Sequence, residues 1–345
     1  MKCGILTSFM VLLGILIGIS QAYDWPTRPF TKQDSMWSTL GEMRDSAGVP
    51  HHFHAGVDIR QSNGDTVFSM VDSGIVHGIG TKYFWIDNYQ YYHVTLLPTI
   101  SDSDTVMLHQ PVATILELNH LHFRERSNTS PPYNALNPLR PGALSPYVDS
   151  TRPQIYWIRF YDRDIGDVTL ADSISADSIK GKVDILSSVL DTRTDSLGHS
   201  PLDTGGVAIY KIGYQVIDTL GSILRDWLKI KFDTIPNPLD TSRLNLTYGP
   251  GSIFEPPRFR YWVTNDPFNP DFTLRNWYWN TKQKTGQPDS VDAESLEVAK
   301  FKDGHYWVKV IASDIRNNAD TESVKVTVAN FRPKVKSTIP TNGQG

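Results

Sequence analysis

Apolar and polar positions alternate with a period of two through much of the chain's second half. Ala208, Tyr210, Ile212, Tyr214 and Val216 take one face of a strand, ahead of a turn at Asp218-Thr219-Leu220-Gly221. Leu228, Ile230 and Phe232 alternate with Lys229 and Lys231. Asp303-Gly304 precedes Tyr306, Val308 and Val310, and Val324, Val326 and Val328 repeat the period. Side chains on a strand point alternately to its two faces, so each run offers one face to a core and one to solvent. Short strands of this kind, separated by Asp, Gly, Asn and Pro turns, predict a β-sandwich.

The first half also reads as strand and turn. Asn63-Gly64 and Asp72-Ser73-Gly74 are hairpin-type turns flanking Thr66 to Val71, and a strand resumes over Ile75 to Ile79. Phe84 to Val94 is aromatic and β-prone, with His93 near its end. The expected fold class is therefore all-β: a compact antiparallel domain followed by a sandwich. Between them, Ser127 to Pro153 is rich in Ser, Asn and Pro, including Pro131-Pro132, Pro138, Pro141 and Pro146, which marks a linker or a wrapping loop. The division expected is 1–22, 23–148, 149–332 and a tail at 333–345. At 345 residues and 39% hydrophobic content, the chain is long enough for two domains with cores of their own.

Composition changes this picture in three places. Lys2, the apolar run from Ile5 to Ile19 and the small residues around Ser20-Gln21-Ala22 read as a signal peptide; the run is short for a membrane span, which needs about 20 residues, though an uncleaved anchor is the alternative. The expected location is outside the cytoplasmic membrane: periplasmic, cell-surface or extracellular. No second apolar stretch of spanning length occurs, so no integral span is expected after processing. Cys3, the single cysteine, precedes the apolar run, and cleavage would leave a chain held by packing and metal instead of disulfides. A net charge of −4 with scattered Lys and Arg offers no footprint for nucleic acid.

The candidate chemistry lies in the histidines, eight of which precede residue 123. His54-Ala-Gly-Val-Asp58, His93 in Tyr91-Tyr92-His93-Val94, and His120-Leu121-His122-Phe123 supply the residue types of a catalytic zinc site: nitrogen and carboxylate ligands, with spare imidazoles to handle protons. On a strand, His120 and His122 share a face while Leu121 packs behind, so one strand offers a ligand and an adjacent proton carrier. Gly56 permits a tight backbone path that turns His54 and Asp58 toward one point.

The order of these motifs resembles the lysostaphin-type (LytM-like) zinc metalloendopeptidases, which cut peptide bonds in bacterial peptidoglycan. The resemblance runs from about residue 41 to 139: Gly41-Glu42-Met43-Arg44, Phe53 to Ile59 around the His54/Asp58 motif, the turn-rich Asn63 to Val76, Tyr91 with His93, the H-L-H-F at His120 to Phe123, and Asn137-Pro138-Leu139. It implies a peptidase domain of the duplicated-hybrid-motif type, with zinc (Zn2+) held by His54, Asp58 and His122 and with His93 and His120 as the catalytic histidines. It also implies peptidoglycan stem peptides or cross-bridges as the partner. In the expected mechanism His120 takes or relays the proton of the attacking water and His93 donates a hydrogen bond to the developing oxyanion. The segment Asp303 to Val310 with Asp314 to Asn318 is similar to the last strands of bacterial immunoglobulin-like modules.

The chain departs from the family before H-L-H-F. Val112 to Asn119 replaces a glycine-rich loop, which implies a groove narrower or more apolar on that side, with Glu117 as a candidate contact for a substrate amino group. The same departure sets up the alternative reading, a catalytically silent domain that binds cell wall or regulates a partner hydrolase. A structural surface protein with incidental histidines is the third reading, and it binds no metal. Asp162, Asp164 and Asp167 read as a solvated turn ahead of a calcium site, and Trp277-Tyr278-Trp279 as sandwich packing ahead of a sugar platform.

Overall fold

The computed structural model describes residues 22–44, 51–128, 134–165, 168–191, 206–253, 258–270 and 277–331. All but the last residue of the signal peptide expected over 1–22, Pro131-Pro132, Asp167 and the expected tail at 333–345 therefore lie outside the described residues. The chain is all-β, with antiparallel sheets throughout and one α-helix among the described residues, Thr241–Thr247, whose first turn is capped by the Asp240 carboxylate accepting from the Ser242 and Arg243 amides at 3.0 and 3.2 Å.

A nine-stranded sheet carries the histidines. Its path runs Met36–Ser38, Val57–Arg60, His120–Arg126, Tyr89–Tyr92, Tyr83–Ile86, Ser73–His77 and Thr105–Met107, with Asn134–Leu136 added to the long strand His120–Arg126. A three-stranded sheet of Thr66–Phe68, Pro111–Ile115 and Val94–Leu96 packs against it through Val67, Val94, Val112, Val57, Ile59, Leu121 and Phe123, all buried. The β-prone stretch from Phe84 onward is a hairpin, not one strand. Asp87, at φ 49°, starts its turn, because Asp tolerates the left-handed region and its carboxylate accepts the Ile75 amide at 3.1 Å.

The second half forms two four-stranded sheets. One holds Gln154–Asp162, Lys182–Leu190, Arg260–Trp262 and Trp279–Asn280; the other runs Ile223–Lys231, Lys211–Ile217, Gly304–Ser313 and Ala319–Val328. The period-two runs place their apolar faces inward, and Ile212, Tyr214, Val216, Val308, Val310 and Val326 are buried. Leu228 breaks the expected alternation. A bulge pairs Ile212 with Ile230 but Tyr214 with Trp227, and the extra residue turns Leu228 outward to 46% exposure. Trp277, Tyr278 and Trp279 are buried as packing residues, and the Asp164 amide closes on the Asp162 carboxylate at 3.0 Å in an exposed turn.

The packing does not divide where the composition does. Leu40, Met43, Phe53 and Ala135 belong to the same buried cluster as Ile212, Ile230, Phe232, Tyr248 and Phe259. Strand Thr234–Pro236, more than 80 residues beyond the proline-rich stretch, pairs with Asn134–Leu136 and so joins the histidine-bearing sheet. Gly41, at φ 97°, sits where any Cβ would come within 2.4 Å of the Phe232 ring, so this join requires glycine. Leu139 packs in the cluster beneath the histidine sheet, and the Asn137 side-chain amide donates to the Phe232 carbonyl at 2.9 Å.

Candidate metal centre

The register of the central sheet sets the centre. His122 on His120–Arg126 lies directly opposite Asp58 on one neighbour and Tyr92 on the other. Directly opposed residues have Cβ atoms about 5 Å apart, which is within reach of a shared atom between an imidazole and a carboxylate. The i, i+2 spacing puts His120 on the same face, while Leu121 and Phe123 are fully buried beneath.

His54 enters from the preceding turn. The glycine between it and Asp58 serves a different purpose from the one its motif suggests: Gly56 has no left-handed φ, but a Cβ there would lie 2.1 Å from the Phe123 carbonyl oxygen. Backbone thus approaches backbone one residue from His122. We expect Gly56→Ala to destabilise the fold by about 1–3 kcal/mol, the typical range for overpacking, as read by denaturant midpoint. An unchanged midpoint would mean that the strand spacing is not set by this contact.

Three ligand atoms converge. His54 Nε2 lies 3.0 Å from Asp58 Oδ1 and 2.8 Å from His122 Nδ1, and His122 Nδ1 lies 2.9 Å from Asp58 Oδ1. His54 Nδ1 donates to the Thr39 carbonyl at 2.8 Å, which leaves Nε2 as a lone pair pointing at a carboxylate. Two acceptors 3.0 Å apart repel unless something positive lies between them, and the single Nδ1 proton available to His122 cannot serve both well. A cation resolves the conflict, and two imidazole nitrogens with one carboxylate oxygen are the donor set zinc takes.

Protonation states agree with ligation. Burial, reinforced by Arg44, lowers the His54 pKa to about 3, and burial lowers that of His122 as well. Burial alone would raise the Asp58 carboxyl. His54, the Arg44 guanidinium and the hydrogen bond from His122 outweigh it, holding the carboxyl well below the ordinary range. The ligands are thus neutral imidazoles and an ionised carboxylate, as metal binding requires.

Outer partners fix the ligands in turn. Arg44 Nη2 holds Asp58 Oδ2 at 2.7 Å, leaving Oδ1 for the centre, and Glu42 Oε1 accepts from the Thr39 amide at 2.8 Å beside the carbonyl that orients His54. Thr39 and the roles of Glu42 and Arg44 are not apparent from ligand spacing; the motif Gly41 to Arg44 flagged the segment without saying what it does.

His93 and His120 stand alongside. Their ring centroids are 4.6 Å apart, and His120 Nε2 is 3.7 Å from Asp58 Oδ1. His120 Nδ1 donates to the Leu118 carbonyl at 2.9 Å, Trp37 walls its far side at 5.7 Å, and Tyr92 packs edge-on to His93 at 4.6 Å. Burial, with His120 and His122 as neighbours, lowers the His93 pKa to about 4, so the ring is neutral at pH 7. All five expected residues therefore come together. Beside them the loop ahead of His120 exposes Leu116 (42%) and Leu118 (56%), an apolar edge. Glu117 is held by Lys82, with both carboxylate oxygens 2.8 Å from Nζ.

Comparison with protein-family models and with curated proteins finds no match.

Proposed function

We propose that the chain is an exported zinc metalloendopeptidase that hydrolyses peptide cross-links of bacterial peptidoglycan. The observation that carries this reading is the convergence of His54 Nε2, Asp58 Oδ1 and His122 Nδ1 within 3.0 Å of one another, with the imidazoles of His93 and His120 beside them. The substrate class comes from the motif resemblance.

Zinc would be held by His54, Asp58 and His122; the chemistry it supplies when bound is Lewis acidity, which brings the pKa of a bound water to about 7 and draws charge from a carbonyl oxygen. The remaining work belongs to the chain. His120, its Nδ1–H spent on the Leu118 carbonyl, presents a bare Nε2 and takes up or passes on a proton. His93 stands next to it as the second proton-handling ring. Trp37 and Tyr92 limit the positions both rings can adopt. The apolar edge of Leu116 and Leu118 favours the alternative, a silent domain that binds wall or a partner hydrolase, to the extent that it narrows access to the centre.

Two variants two residues apart test the assignment. His120→Ala is expected to keep zinc and lose about 10²- to 10⁴-fold in hydrolysis, the usual cost of a proton carrier, whereas His122→Ala loses both. Equal metal content in the two variants would overturn the division between ligand and catalyst.

A further inference from the structure

A single loop sets the tautomers of both catalytic histidines. The Leu118 carbonyl accepts from His120 Nδ1 at 2.9 Å, and one residue earlier the Glu117 carboxylate faces His93 Nδ1 at 3.3 Å. The loop is held to this task from several sides. Leu118 and Asn119 both take left-handed backbone, at φ 63° and 50°, a conformation uncommon for leucine and found where surrounding structure imposes it. Asn119 and Asn63 exchange amide-to-side-chain bonds at 3.2 and 3.0 Å, and the Gln61 amide donates to the Asn119 carbonyl at 3.0 Å. His93 is itself left-handed, at φ 65°, and its carbonyl accepts from the Leu116 amide at 2.8 Å, which ties its backbone to the loop.

The two acceptors differ in charge. His120 is backed by a neutral carbonyl, His93 by a carboxylate that Lys82 grips through both oxygens and keeps ionised. A carboxylate accepts and cannot donate, so His93 must carry its proton on Nδ1 and present Nε2 as a lone pair.

We propose that Glu117, clamped by Lys82, is a positioning residue that fixes the Nδ1–H tautomer of His93 and so makes His93 a proton acceptor in the reaction. This differs from the role of oxyanion donor expected from the sequence, because a neutral ring in this tautomer has no proton on Nε2 to donate. Its kinetic half rests on the endopeptidase reading: the Nε2 lone pair takes the proton that the attacking water loses and that His120, beside it, passes on. The same proton then goes to the amine nitrogen released as the C–N bond breaks, and His93 ends neutral. The negative charge of Glu117 favours the intermediate imidazolium. Glu117 is consequently occupied, and is not a free contact for a substrate amino group.

The test uses the full mature chain loaded with zinc and labelled with 15N-histidine. Long-range proton–nitrogen correlation at pH 7 reads the His93 tautomer, with the signal assigned by its loss in His93→Asn. Wild type is expected to show Nδ1-protonated His93. In Glu117→Gln the side-chain amide can donate, so the ring is expected to shift to the Nε2-protonated form, with zinc content and KM unchanged and kcat lower by about 10²-fold. The variant alters a side chain that is 32% exposed, so folding is not at stake. An Nε2-protonated His93 in wild type, an unshifted tautomer in Glu117→Gln, or a shifted tautomer with unchanged kcat would each overturn the proposal. The expected tautomer shift in a protein that hydrolyses nothing would support the positioning role while removing the endopeptidase reading, so the two failures are distinguishable.

Discussion

Asp58→Ala is expected to abolish both zinc binding and hydrolysis, the largest loss of any single substitution at the centre. Asp58 does two jobs at once. Oδ1 lies 3.0 and 2.9 Å from His54 Nε2 and His122 Nδ1, the two nitrogens proposed as ligands, and Oδ2 takes the Arg44 guanidinium at 2.7 Å. Removing the carboxylate leaves two neutral nitrogens and places the Arg44 cation where its pairing with Asp58 was, which repels an incoming metal ion. A metal's Lewis acidity contributes several kcal/mol to such a reaction, so the loss in rate is expected to reach about 10³-fold or more. Elemental analysis after dialysis, together with a hydrolysis assay, reads both effects. His54→Ala should behave alike in metal content, since its Nε2 lies 3.0 and 2.8 Å from the other two candidate ligand atoms. About one zinc per chain retained in both variants would place the ligands elsewhere.

A fragment ending at Asp149 is expected not to reach a folded state. Composition suggests a boundary there, but Leu40, Met43 and Phe53 bury themselves among residues of the second half. Phe53 packs against Phe232, Tyr248 and Phe268, and its amide donates to the Pro238 carbonyl at 2.9 Å. The Tyr248 hydroxyl donates to the Gly41 carbonyl at 2.6 Å, and the Thr39 hydroxyl to that of Ala208 at 3.2 Å. Exposing three large apolar side chains at about 1.5–3 kcal/mol each forfeits about 5–9 kcal/mol, comparable to the whole stability of a typical domain. The damage would reach the centre directly, since Thr39 supplies the carbonyl that orients His54. Near-ultraviolet circular dichroism and zinc binding of the fragment read the outcome. A cooperatively folded, zinc-binding fragment would show that the shared core is dispensable.

What could be read from the sequence was what local periodicity encodes. The alternation in the second half located the inward faces of the sandwich strands, and the i, i+2 rule placed His120 and His122 on one face above buried Leu121. The reading failed where long-range pairing decides. Nothing near Gly41 signals Tyr248, 207 residues away, and nothing near Asn134 signals strand Thr234–Pro236. The outward turn of Leu228 depends on a bulge that only the partner strand defines. Gly56 reads as a flexible turn residue until Phe123 is brought against it. Glu117 stood out as a candidate substrate contact, but its roles toward Lys82 and His93 require segments 35 and 24 residues apart in the chain to meet. One local signal was available and unused: Asp87-Asn88, a pair of turn formers inside the aromatic stretch, marks the hairpin that delivers His93.

The measurement that tests the zinc endopeptidase reading most directly is mass analysis of the material released from purified sacculi by the mature protein, with and without its zinc. The account predicts that cross-linked muropeptides give way to uncrosslinked ones when the protein carries one zinc per chain, and that chelation stops the release and added zinc restores it. Sacculi left unchanged by a folded protein carrying one zinc per chain would contradict hydrolysis and leave the silent, wall-binding alternative in its place.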